Sequence, residues 1–361
     1  MTTVNRIIFE CNSQIVMSIT NVSIKGLFGE FDYSIDLCGQ LTYIHSPNGY
    51  GKSTAMHLIT AAFKGDVDYI SETQFERMDI SFDDESKLIV ENNRGKLLIQ
   101  ISKNGLETQI SSSDMEDLMH VCYIGPERLV VKKKDAHISP ALESYAQELY
   151  ENILSAKEHS ALIDTDLQDI DTSDVYLENH FREIKAKLDY MAPTGIQPTI
   201  PSGMRLPPTR YELTNYRDEY ILFAEELDSY LKNNYILAES IITFIDIVNS
   251  LFIGKKVEIG TNGKIVIRLK NGSSLPLNRL SSGEKQILIM FYNLLFHADA
   301  NSLVIIDEPE ISLHVSWQQR LGSFFYDICR VRNIQMIVAT HSPQIIHDRW
   351  DNAVELRSKD A

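Results

Sequence analysis

Ser46-Pro-Asn-Gly-Tyr-Gly-Lys-Ser-Thr54 decides how this chain is read. A short apolar run, Leu41 to His45, leads into it, and a run of helical character, Gly51 to Phe63, leads out and ends near Gly65. Strand, glycine-rich loop and helix form the context in which G-x-x-x-x-G-K-[ST] holds phosphate. The second glycine, the lysine and the hydroxyl residue of that pattern are Gly51, Lys52 and Ser53, while Ser46 stands at the first glycine position. Backbone N–H groups of such a loop, the helix N-terminus behind it and one lysine make a polyphosphate cradle. The expected contacts are Asn48, Gly49, Gly51, Lys52, Ser53 and Thr54. Lys52 would reach the β- and γ-phosphates and the Ser53 hydroxyl would ligate Mg²⁺.

Working outward, Ile15 to Ile24 and Phe31 to Leu37 alternate in polarity around Gly26 and Gly29, which predicts an antiparallel pair. Met78 to Ile110 reads as three or four short strands with Asp, Asn and Gly turns, and His120 to Ile124 as another strand. The character changes after about Lys134. Residues 140–250 are helix-rich and charged, broken between Pro193 and Pro208, and show a 3.6-residue period without a sustained heptad run. That pattern argues against a long coiled-coil arm. Val257 to Ile259 and Lys264 to Leu269 return to strand character around an Asn262-Gly263 turn. Helices over Gly283 to His297 and Val315 to Val331 then alternate with apolar strands over Leu303 to Ile306 and Ile334 to Ala339. Such alternation implies an α/β fold with a mainly parallel sheet covered on both faces.

A chain of 361 residues, 43% of them apolar, suffices for one large α/β domain or two lobes. Its net charge of −16 argues against passive nucleic-acid binding over a broad surface. A local groove would have to use Lys132, Lys133, Lys134, Arg205, Arg210 and Arg217. Cys11, Cys38, Cys122 and Cys329 form no CxxC pair, so they read as reduced core thiols of a cytoplasmic protein. No run approaches the roughly 20 apolar residues of a membrane span, and no secretion signal is recognisable. The acidic run Asp164, Asp166, Asp169, Asp171 and Asp174 lacks the glycine of a calcium loop and reads as a solubilising segment.

Three further segments carry chemistry. Leu303-Val-Ile-Ile-Asp-Glu308 is an apolar strand ending in two acids. Asp307 suits Mg²⁺ coordination, and Glu308 suits polarising an attacking water. Leu280-Ser-Ser-Gly-Glu-Lys-Gln286 opens a helix with Ser281 or Ser282 as cap, either a well-capped helix or a second anion site. His341, in Ala339-Thr-His-Ser-Pro343, follows an apolar strand, where ligands bind in parallel sheets.

Taken in this order, the four segments resemble the ABC-type ATPases: Walker A, the LSSGEKQ signature, Walker B with its catalytic glutamate, and the switch-histidine loop. Glu308-Pro-Glu-Ile-Ser-Leu-His314 looks like the D-loop of the OLD-type and RecF/SMC-like branch, DEPE-x-x-LHP-x-x-Q, with Val315 replacing the proline and Gln318 retained. Lys52 and Ser281 lie 229 positions apart, a separation that resembles this branch rather than transporter subunits. The resemblance implies an ABC ATPase head, a mainly parallel sheet core with an antiparallel β subdomain, split into residues 1–134 and 253–361 by a helical insertion over 135–252. It implies ATP and Mg²⁺ as cofactors, Glu308 and His341 as catalytic residues, and Ser53 and Asp307 as metal ligands. Ser281 and Gly283 would touch the γ-phosphate bound by a second copy, so a homo-oligomer, at least a dimer, is expected. Pro126-Glu127-Arg128 would replace the glutamine loop, and Tyr43 or Tyr50 would contact base or ribose. Arm-less members of this size resemble ATPase components of Septu- and PARIS-type anti-phage systems, which control a separate nuclease or toxin. The alternatives are a RecF-like DNA-repair ATPase and an ATP-stabilised, non-catalytic scaffold.

Overall fold

Ile19–Leu27 (β1) and Phe31–Asp36 (β2) pair antiparallel, with Val22 opposite Ile35 and Ile24 opposite Tyr33. In the computed structural model, residues 17–132, 138–158 and 173–356 are described. Cys11, Ile15, Lys133, Lys134 and Asp164, Asp166, Asp169 and Asp171 lie outside them. Leu41–His45 (β3) runs into the glycine-rich loop and then Lys52–Phe63 (α1), followed by Val67–Glu72 (α2). Four strands come next, Arg77–Phe82 (β4), Lys87–Asn93 (β5), Lys96–Lys103 (β6) and Leu106–Gln109 (β7). Ser112–Glu116 (α3) leads to Val121–Ile124 (β8). The middle of the chain holds Val130–Lys132 (β9), Ile138–Pro140 (β10), Ala141–Glu158 (α4), Asp174–Met191 (α5), Arg210–Asn215 (α6) and Arg217–Leu251 (α7). Lys255–Ile259 (β11), Ile265–Leu269 (β12) and Ser274–Leu275 (β13) precede Ser282–Tyr292 (α8). The chain continues through Leu303–Asp307 (β14), Val315–Arg332 (α9), Gln335–Ala339 (β15), Pro343–Ile346 (α10) and Ala353–Glu355 (β16).

Two compact units result, one from residues 1–126, 298–310 and 318–361, the other from 127–297 and 311–317. This division differs from the sequence boundaries, because residues 253–297 cluster with the helical segment. The first unit contains two sheets. One is parallel, ordered β16-β3-β15-β14-β8, and the other antiparallel, ordered β2-β1-β4-β5-β6-β7. The central parallel strands are buried along nearly their whole length, LVIID of β14 throughout, as strands covered on both faces must be. Leu303, Ile305, Ile337, Ala339 and Ile44 join α1 and the antiparallel sheet in one apolar cluster. α1 buries nine of its twelve residues, including Ala55, Met56, Leu58 and Ile59. The Gln335 side chain ties the sheets together, accepting from Ile19 N–H at 2.9 Å and donating to Ile19 O at 2.7 Å.

In the second unit the break at Pro193 to Pro208 separates α5 from α6 as the prolines predict. The heptad expectation is corrected. Buried residues of α5 fall at Leu177, Phe181, Ile184, Leu188 and Met191, a four-three spacing. In the 35-residue α7, Tyr220, Leu227, Asn234, Ile241 and Val248 are buried at intervals of seven. Phe181 meets Tyr220 and Phe223, and Tyr190 meets Tyr235, so the two helices run parallel along a shared seam. Aromatic and amide residues at seam positions concealed the repeat in the sequence. The other departure is at the end of α8, where residues Asn293–His297 widen into a π turn instead of continuing the α-helix.

Candidate nucleotide site

The parallel sheet's register lines up the strand ends. Ala339 pairs with Ile44, Asp307 with Ala339, and Ile306 with Ile124. The residues that follow are therefore neighbours at one edge: the Ser46 loop after β3, Thr340 and His341 after β15, Glu308 after β14 and Gly125 after β8. This is the carboxyl edge, where parallel α/β sheets bind ligands.

The glycine-rich loop is shaped by its backbone. Gly51 adopts φ 70, and a Cβ there would meet Phe28 Cε2 at 2.9 Å and Leu27 Cδ2 at 3.0 Å. Both the left-handed angle and the crowding require glycine. Asn48 and Gly49 form the exposed tip, Ser46 is buried beneath it, and Ser53 and Thr54 are half-buried in the first turn of α1. Tyr33 Oη donates to Tyr50 O at 2.5 Å, and burial first, then Tyr50, pushes the Tyr33 hydroxyl up to about 12. The loop is thus pinned at Tyr50 by a group that stays protonated. No side chain caps the N-terminus of α1, and its first turn carries no acid, which leaves its N–H groups to an anion.

Lys52 is buried, with Nζ 2.7 Å from His341 Nε2. The two nitrogens are within hydrogen-bond reach, and which ring nitrogen carries the proton is set by the tautomer. Glu308 Oε1 is 3.7 Å from the same nitrogen. Glu308 occupies the left-handed region at φ 49, held there by its N–H donating to Ala339 O at 2.9 Å. Such backbone is sparsely populated by non-glycine residues and concentrates at functional sites.

Asp307 is fully buried. Its Oδ2 accepts from Tyr123 Oη at 3.3 Å, while its Oδ1 has no hydrogen-bond partner. Burial and the neighbouring Asp307 carboxylate push the Tyr123 hydroxyl far above its ordinary range, so it remains a donor. His57 Nε2 approaches the same hydroxyl at 3.1 Å, and burial lowers the imidazole's pKa against the pull of Asp307. Among the described residues no three His, Cys, Asp or Glu side chains gather to hold a metal by themselves. Magnesium bound with phosphates needs only one or two protein ligands. An orphaned buried carboxylate oxygen at a strand end fits that need.

Two residues given no site role in the sequence also act here. Glu310 accepts from His341 N–H and from Thr340 Oγ1, and Gln318 Oε1 accepts from Ser342 Oγ. The DEPE spelling was the available signal. Tyr43 is fully buried and packs toward Gly322 of α9, which removes it as a base or ribose contact.

Ser281 and Gly283 belong to the second unit. Ser281 caps α8 in a reciprocal box with Glu284, whose carboxylate also takes Lys255 Nζ at 2.6 and 2.7 Å. A Cβ on Gly283 would stand 2.5 Å from Ser312 O, so the D-loop backbone runs against the signature within that unit. Three of the basic candidates face carboxylates. Arg205 faces Glu212, Arg210 faces Glu178, and Arg217 faces Asp174. The described cysteines, Cys38, Cys122 and Cys329, are free thiols, and burial pushes Cys122 up to about 11 and Cys329 up to about 12. Among the described residues no helix is long and apolar enough to cross a membrane.

Two family models match the chain, an AAA domain over residues 22–192 and an AAA ATPase domain over 212–346. It is 29% identical over 181 residues to the Retron Ec83 probable ATPase of Escherichia coli, covering 46% of this chain and 32% of that protein. It is 26% identical over 133 residues to the Retron Vc95 probable ATPase of Vibrio cholerae serotype O1 biovar El Tor, covering 34% and 24%. The chain thus spans about a third and about a quarter of these relatives. Among solved structures, the Smc head domain with an extended coiled coil of Pyrococcus furiosus, bound to the C-terminal domain of ScpA, matches with a TM-score of 0.50 at 15% identity, over 95% of this chain and 94% of that one. At that identity the likeness shows the fold alone: an SMC-head-like α/β fold with parallel and antiparallel sheets and helices.

Proposed function

We propose that this chain binds and hydrolyses ATP and works as the regulatory ATPase of a bacterial defence complex, switching a separate nuclease or toxin through ATP-dependent engagement of two copies. The observation that carries the reading is the convergence of Lys52, Glu308 and His341, with Asp307 behind them, on the carboxyl edge of one parallel sheet. The two relatives, each named a retron probable ATPase, support the setting.

The proposed roles assign each residue of the site one task. The loop N–H groups and Lys52 bind the β- and γ-phosphates, with Asn48, Gly49, Gly51, Ser53 and Thr54 around them. Asp307 Oδ1 and the Ser53 hydroxyl would hold Mg²⁺, which neutralises charge developing on the phosphates. Glu308 orients and deprotonates the attacking water. His341 holds the γ-phosphate end, and Ser281 and Gly283 of a second copy complete the site.

The test is release of radiolabelled phosphate by the purified chain, with size-exclusion chromatography in ATP. Lys52→Ala is expected to lose ATP binding. Glu308→Gln is expected to bind ATP, release no phosphate and accumulate as the oligomer. A wild-type chain that binds no ATP sinks the reading. Against the RecF-like alternative stands the pairing of Arg205, Arg210 and Arg217 with carboxylates. ATP-dependent, salt-sensitive DNA binding in the same preparation would restore it.

A further inference from the structure

We infer that Glu310 is a positioning residue for His341, a carboxylate brace that sets the switch loop against the end of β14. The inference rests on the ATPase reading above and deepens it. Both oxygens of Glu310 are used on one loop: Oε1 accepts from the His341 N–H at 2.5 Å and Oε2 from Thr340 Oγ1 at 2.8 Å. Thr340 is fully buried, and its hydroxyl also accepts from Ser342 N–H at 3.0 Å. Ser342 Oγ donates in turn to Gln318 Oε1 at 2.6 Å. Three successive residues, Thr340, His341 and Ser342, are therefore fastened by this one network, its anchors being side chains from the stretch after Asp307.

A carboxylate is the group this place requires. Its two partners are both donors, and only an ionised carboxylate offers two acceptor oxygens and no proton. Bonds from N–H or O–H to a carboxylate are also shorter and stronger than neutral ones. Fixing the His341 backbone fixes the arc its ring can sweep. On that arc Nε2 stands 2.7 Å from Lys52 Nζ and 3.7 Å from Glu308 Oε1. Without the brace the ring keeps its chemistry and loses its address. Glu310 touches neither Lys52 nor Glu308 in the described contacts, so its effect has to pass through the loop.

The experiment is a double-mutant cycle on the 361-residue chain. Phosphate release and ATP affinity are measured for wild type, Glu310→Ala, Glu310→Gln, His341→Ala and the Glu310→Ala/His341→Ala pair. Glu310→Ala is expected to lower kcat roughly 10- to 100-fold, the effect of misplacing a catalytic group by about 1 Å. ATP affinity should stay within about threefold, because the phosphate loop is untouched. Glu310→Gln, which keeps the shape and one acceptor, should fall between. In the His341→Ala background the Glu310→Ala loss should shrink to about twofold or less. The same loss with and without His341, or an unchanged kcat in Glu310→Ala, overturns the inference while leaving the ATPase reading intact. If Glu310→Ala fails to fold, Glu310→Gln decides by the same cycle. A wild-type chain that releases no phosphate above Glu308→Gln overturns the hydrolysis reading, and the inference with it.

Discussion

Replacing Gly283 by alanine separates a signature that completes a site from a helix that is merely well capped. The added methyl would stand 2.5 Å from Ser312 O and 3.5 Å from Trp317 Cζ3. Carbon and carbonyl oxygen rarely approach closer than about 3.3 Å, so something must yield by about 0.8 Å. The obstacle is backbone, and Ser312 already sits at φ 63, so no rotamer change relieves it. Overpacking costs about 1–3 kcal/mol, and a backbone obstacle places this site near 2–3 kcal/mol. Trp317 reports on the second unit, because Trp350, the other of the two tryptophans, lies in the first and is half exposed. In a Trp350→Phe background, the guanidinium midpoint of Trp317 fluorescence should fall by about 0.5 M. ATP binding, which depends on the other unit, should persist, and turnover should fall further than the unfolded fraction explains. A midpoint moved by less than about 0.1 M refutes the packing argument. Full turnover in a destabilised Gly283→Ala refutes the role of the signature.

Other perturbations test separate parts of the molecule. Tyr123→Phe removes the donor to Asp307 Oδ2 and leaves both carboxylate oxygens without a protein partner, so the Mg²⁺ concentration for half-maximal ATP retention should rise about tenfold, whereas magnesium-free ATP binding should not change. Lys255→Met removes two bonds to Glu284. Burial alone would raise that carboxyl, but Lys255 and Ser281 outweigh burial and hold it below the ordinary value of 4.5. A depressed carboxyl stabilises the fold above its unfolded pKa and ceases to do so as pH falls through the folded one. The variant should therefore lose about 2 kcal/mol at pH 7, and its gap from wild type should narrow below about pH 4.5, as urea titrations at several pH values would show. Phe181→Ala empties a fully buried position against Tyr220 and Phe223 and should cost about 3–5 kcal/mol in the helical unit, measured by amide exchange along α5 and α7, with ATP affinity kept.

Local chemistry made much of this fold legible in the sequence. Leu41 to His45 and Leu303 to Asp307 are buried on both faces, so their composition alone announced parallel strands. Gly51 and Lys52 announced the loop because few other residues tolerate that backbone and that burial. What escaped was set by tertiary contact. The seam of α5 and α7 uses Tyr220 and Asn234 where aliphatic residues would have shown a heptad. Tyr43, one of two aromatics expected at base or ribose, points instead toward α9, because β3 is covered on that face too. Tyr123 carries no motif, and Glu310, though spelled in DEPE, shows no task there; their places depend on strand register and on a loop that returns from residue 340.

The D-loop joins these observations. Glu310 and Gln318 belong to the first unit and both bond the loop that carries His341, whereas residues 311–317 between them belong to the second. Within that second unit Ser312 O runs against Gly283, where only a hydrogen leaves room. A segment of seven residues thus lies between two residues that bond the loop of His341, and within its own unit Ser312 O packs on Gly283. A chain that short has little slack, since even fully extended it spans at most about 25 Å.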